Sequence, residues 1–107
     1  IVDYVKVPGQ VRADFALTCR GNSMIGANIQ DGDVVYIRQQ PEVENAQIAA
    51  VCIDNDEATL KRFYHQGNSI SLVAENPAVP PLVFAGEDMA RVRIVGLAVA
   101  FLHQWES

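Results

Sequence analysis

Ser23, in the run Arg20-Gly21-Asn22-Ser23-Met24, and Lys61, in Ala58-Thr59-Leu60-Lys61-Arg62-Phe63, are two residue types that can act as a nucleophile and its base. A serine hydroxyl is a weak nucleophile until a neighbour takes its proton, and a neutral lysine amine can be that neighbour. A free lysine titrates near pH ~10.4, so such a site must desolvate the amine and lower its pKa. Leu60, Phe63, Ile48, Val51 and Ile53 are available to pack around it. Together the two residues suggest a serine/lysine peptidase. Alone, a serine and a lysine 38 positions apart (61 − 23) carry little weight, because domains of this size ordinarily hold several serines and lysines.

The surrounding text raises the signal. Gly21-Asn22-Ser23-Met24 is followed in order by Asp31-Gly32-Asp33-Val34-Val35, Thr59-Leu60-Lys61-Arg62, Ala74-Glu75-Asn76-Pro77 and Val95-Gly96-Leu97-Ala98-Val99. This series of five blocks, running over residues 15–102, resembles the LexA-like S24 peptidase family: the C-terminal domains of SOS and phage repressors and the UmuD-type proteins. The resemblance implies Ser23 as nucleophile and Lys61 as base, with the backbone N–H groups of Asn22 and Ser23 donating to the oxyanion. It also implies cleavage of the protein's own chain at a small-residue bond such as Ala-Gly, upstream of the serine. No Ala-Gly or Cys-Gly precedes Ser23, so the cut is expected before Ile1, and residues 1–12 are read as a linker left after it. Ala85-Gly86 follows Lys61 and is treated as coincidence.

The elements that must position the pair read as short strands and turns, an all-β domain spanning 1–107. The resemblance makes this a compact LexA-like fold of short, strongly twisted antiparallel strands with little helix. Residues 15–20 read as a strand entering the Gly21-Asn22 turn, and residues 23–28 as a short helical turn. Asp31-Gly32-Asp33 is a turn signal followed by a β-branched strand over 34–38. Residues 48–53 and 58–64 form a hairpin with the polar tip Asp54-Asn55-Asp56-Glu57. In its second strand the two-residue period puts Thr59, Lys61 and Phe63 on one face, with Leu60 and Arg62 on the other. A turn at residues 66–69 leads to a strand over 70–73, after which Pro77, Pro80 and Pro81 break regular structure. Residues 92–102 read as one long strand, bent at Gly96.

Composition narrows the function classes. With 107 residues, half of them hydrophobic, the chain can bury a core. No apolar run reaches the ~18 to 20 residues of a membrane helix, which argues against the related membrane-anchored signal peptidases. Eight basic against thirteen acidic residues, with no basic stripe, argue against DNA binding by this segment. By resemblance, a separate domain upstream of Ile1 would bind DNA, and the protein would be cytoplasmic. Cys19 and Cys52 match no zinc spacing and are expected to be buried free thiols. His65 and His103 are assigned surface or strand-end positions without function. Asp31 and Asp33 are read as turn residues rather than metal ligands, Met24 as packing beside the cleft, and Glu75 and Asn76 as closing a loop. No cofactor or metal is expected.

Val99, Ala100, Phe101, Leu102 and Trp105 make an apolar, edge-strand-like end that could pair with its own copy, and the family's domains are homodimerisation modules. The resemblance further names an activated RecA filament as the partner that favours cleavage. The alternatives are a dimerisation domain without catalysis, or a UmuD-like subunit of a lesion-bypass polymerase.

Overall fold

Runs rich in Val, Ile, Leu and Phe, separated by Gly, Asn and Asp, fold the described residues into seven strands. They are β1 (Phe15–Thr18), β2 (Val34–Gln39), β3 (Ile48–Ile53), β4 (Thr59–Gln66), β5 (Ser69–Val73), β6 (Leu82–Ala85) and β7 (Val92–Leu102). The structure, a computed structural model describing residues 12–103, joins them in one antiparallel sheet in the order β1-β2-β7-β3-β4-β5-β6. The all-β expectation holds, and helix among the described residues is limited to two 3-10 segments, Ile25–Ala27 and Gly86–Arg91. Most of the expected linker (residues 1–11) and Trp105 lie outside the described residues.

β3 sits near the middle of the sheet and is covered on both faces. Ala49 and Val51 join Phe63, Ile70, Leu72 and Phe84 in one core cluster, whereas Ala50 joins Phe15, Met24, Ile29, Val35, Ile37 and Leu60 in another. The alternation of strand side chains makes these opposite faces, so the sheet carries one core near its β1–β2 end and the other near its β4–β6 end. The loop that carries Ser23 closes the first of these cores through Met24, which is fully buried.

Several boundaries move. β1 stops at Thr18, two residues before the expected end, and β4 runs on to Gln66 because its hairpin with β5 pairs as far as Gln66↔Ser69. β6 and the 3-10 segment after it are new: the prolines end one structure but do not prevent an edge strand immediately beyond them. β7 forms over the expected residues. Its register slips on either side of Gly96: Ala50↔Gly96 is followed by Val51↔Ile94, and Ile37↔Ala98 by Tyr36↔Ala100. Val95 and Val99 are thus the extra residues of two bulges.

The expected edge at the end of β7 takes a particular form. β7 as a whole is central, between β2 and β3. The β3 ladder ends at Ala49↔Leu97, however, while the β2 ladder continues to Val34↔Leu102. The last residues of β7 therefore have a strand on one side only, among the described residues. Val99 there is half-buried, and Phe101 and Leu102 are 43% and 45% exposed.

Candidate active site

Ser23 is carried by the chain reversal between β1 and β2. Cys19 N–H donates to Asp33 O and Gly32 N–H to Cys19 O, both at 2.8 Å, so the reversal is pinned just beyond β1. Gly21 N–H donates to the Asp31 carboxylate at 2.7 Å. Gly21 has φ +86°, a left-handed conformation that a residue with a Cβ adopts only with strain. Past Ser23, the buried Met24 anchors the loop in the core, Gly26 N–H donates to Glu75 O at 2.7 Å, and Asn76 Nδ2 donates to Asn22 O at 2.9 Å. Asn22 is exposed and Ser23 half-buried. Neither of their backbone N–H groups is engaged by another described residue, so both remain available to a substrate oxygen.

Lys61 lies on β4 opposite Ala49 of β3, which is fully buried. Only 9% of Lys61 is exposed, and its Nζ donates to Thr59 Oγ1 and to Leu60 O, each at 3.1 Å. Burial pushes its pKa below that of an ordinary lysine, an effect that nearby Cys19 partly opposes. Burial likewise raises the Cys19 thiol, helped by the negative charge of Asp33. Thr59, which sequence reasoning placed on the lysine's face without a role, is one of the two groups that hold the amine.

A cleft of about 580 Å³ separates the end of β1 from the start of β4, lined by Leu17, Cys19, Ser23, Ala58, Thr59 and Leu60, with exposed Arg20 and Glu57 also contributing. The serine thus opens onto the wall that carries both partners of the lysine amine. No hydrogen bond joins Ser23 Oγ to Lys61 Nζ among the described residues. The amine is oriented by Thr59 and Leu60 and the hydroxyl is left to rotate.

The Peptidase S24-like family profile matches residues 2–99. This chain belongs to the S24-like peptidase family. Among curated proteins it is similar to the LexA repressors of Deinococcus radiodurans (46% identical over 90 residues, 82% of this chain and 43% of that protein) and Thermosipho melanesiensis (42% over 92 residues, 86% and 44%). The LexA repressor of Ruegeria sp. strain TM1040 is 47% identical over 85 residues, 78% of this chain and 35% of that protein. The chain therefore spans less than half the length of these LexA relatives.

Other residues of the S24 domain stand close to expectation. Cys19 and Cys52 are free and buried. Asp31 and Asp33 shape the turn, Asp31 accepting Gly21 N–H and Asp33 accepting Gln30 N–H. Glu75 and Asn76 close their loop, since Asn76 Oδ1 accepts Ala78 N–H at 2.9 Å and Glu75 pairs with Arg62 of β4. The bonds from this loop to the serine's loop had no signature in sequence, because they link residues 49 (75 − 26) and 54 positions apart. Asn76→Ala removes both of its bonds and is expected to cost about 1 kcal/mol in urea unfolding. Faster amide exchange around Gly26, with the β5–β6 ladder unchanged, would place the loss at this loop junction.

Proposed function

We propose that this domain is the self-cleaving, dimer-forming C-terminal part of a LexA-like or prophage transcriptional repressor, a serine endopeptidase with Ser23 as nucleophile and Lys61 as base. The observation that carries the reading is the burial of Lys61 and the bonding of its amine to Thr59 and Leu60, two residues that line the same cleft as Ser23. Burial favours the neutral amine, which takes the Ser23 proton as Oγ adds to the scissile carbonyl. The N–H groups of Asn22 and Ser23, unengaged among the described residues, suit the oxyanion that forms. The protonated Lys61 then gives its proton to the departing amine, and water releases the acyl group from Ser23. A tethered substrate segment has a high effective concentration, so docking and deprotonation of Lys61 set the rate. By resemblance, an activated RecA filament in the cytoplasm favours the docked state, and DNA is bound through a separate N-terminal domain.

Homodimerisation accompanies this reading. The exposed Phe101 and Leu102, with Val99, sit where β7 lacks a neighbour on its β3 side among the described residues, a stretch suited to pairing with a second copy.

The test is incubation of the full-length protein from pH 7 to pH 10, followed on a gel beside Ser23→Ala and Lys61→Ala. Cleavage that rises with pH and vanishes in both variants is the expected result. An intact chain at every pH, even with activated RecA filament, would sink the peptidase reading and leave a dimerisation domain.

A further inference from the structure

Asp33 and His103 make a contact that the serine/lysine chemistry does not use. Asp33 is 1% exposed, and its Oδ2 accepts Gln30 N–H at 2.8 Å. Its Oδ1 lies 2.5 Å from Nδ1 of His103, a half-exposed residue one position beyond β7. A buried carboxylate must have its oxygens hydrogen-bonded, and His103 is the side chain that serves the second of them. Burial alone would raise the Asp33 carboxyl, but the Gln30 N–H and the His103 imidazole outweigh it and hold Asp33 below the usual carboxylate range. The contact is therefore to an anionic oxygen, which makes it charge-assisted.

Asp33 is also part of the support under the nucleophile. Its backbone carbonyl accepts Cys19 N–H at 2.8 Å, its N–H donates to Gln30 O at 3.0 Å, and Asp31, two residues earlier, accepts Gly21 N–H. A hydrogen-bonded path thus runs from His103 through the Asp31-Gly32-Asp33 turn to the residues flanking Asn22 and Ser23. The contact spans 70 positions of sequence and joins the nucleophile's turn to the end of β7, which has no strand on its β3 side among the described residues.

We propose that His103 is a positioning residue for self-cleavage: by holding Asp33 it fixes the turn that aims Ser23, and it couples that turn to the C-terminal end of β7. The inference rests on the peptidase reading for its effect on rate, and on geometry alone for its effect on the turn. Displacing the end of β7, as pairing with a second copy could do, would then reach the serine through this contact.

Two variants test it. His103→Ala removes the donor, whereas in His103→Asn the amide Nδ2 can stand where Nδ1 stood. In the full-length protein, His103→Ala is expected to slow cleavage about tenfold, the rate equivalent of about 1.4 kcal/mol, and His103→Asn to recover most of the rate. In the 107-residue chain, the amide resonances of Gly21, Asn22 and Ser23 are expected to shift in His103→Ala and to return in His103→Asn. Equal rates in His103→Ala and wild type, or equally slow Ala and Asn variants, would overturn the proposal. Unmoved resonances overturn it whatever the gel shows. Failure of the wild type to cleave at all would instead strike the peptidase reading, and the resonances would still decide whether His103 holds the turn.

Discussion

Self-cleavage of the full-length protein is expected to accelerate as pH rises from 7, to level off below the pH ~10.4 of an ordinary lysine, and to stop in Lys61→Arg as completely as in Ser23→Ala. In the proposed mechanism the reactive form of Lys61 is the neutral amine, so on the acid side of its pKa the rate should climb about tenfold per pH unit. Burial lowers that pKa, which moves the plateau to lower pH than an exposed lysine would give. Arginine keeps the charge and stays protonated throughout this range, so it fills the site without serving as base. Losing the base is expected to cost roughly 10² to 10⁴ in rate. A rate independent of pH, or a Lys61→Arg protein that cleaves normally, would remove Lys61 from the mechanism.

The same burial has a consequence for stability, with a definite sign. Between the lowered pKa of folded Lys61 and the ordinary pKa of the unfolded lysine, the unfolded chain binds more protons, so stability rises with pH across that window. Below the folded pKa the buried ammonium is a standing cost. Lys61→Met should therefore be inactive and yet about 1 kcal/mol more stable at pH 7, with the advantage shrinking as pH rises into the window. Urea unfolding of both proteins at pH 7 and pH 10 measures this difference.

Gly96→Ala is expected to be the most destabilising small substitution in the sheet, at about 3 kcal/mol or more. A Cβ at this position would meet Arg38 O at 2.3 Å and Ile37 Cγ2 at 2.6 Å. The obstacle is chiefly backbone, so relief requires β2 to move away from β7, loosening the ladder that also orders the free end of β7. Gly96 stands beside the bulge at Val95 and is paired on both sides, with Gln39 of β2 and Ala50 of β3. Denaturant unfolding of Gly96→Ala would show the loss directly; a change below about 0.5 kcal/mol would mean that the two strands separate easily there.

Most of the strand architecture was legible in the chain because it depends on local periodicity. β2, β3, β5 and β7 fall within a residue or so of the expected spans, and the placement of Thr59, Lys61 and Phe63 on one face followed from the strand period alone. β6 was missed because Pro80 and Pro81 dominate the local signal, although proline is tolerated just before an edge strand. The block order of the sequence singled out Ser23 and Lys61 as candidates, because a nucleophile and a base are recognisable residue types. The sequence by itself thus determined the strands, their faces and the inventory of reactive groups, all properties of a residue and its near neighbours. Only the tertiary structure decided the amine's partners, the junction of Asn76 with Asn22, and the pairing of His103 with Asp33 across 70 positions. Those contacts depend on which strands the closed sheet brings together, and no local period of the chain encodes a distance between segments so far apart.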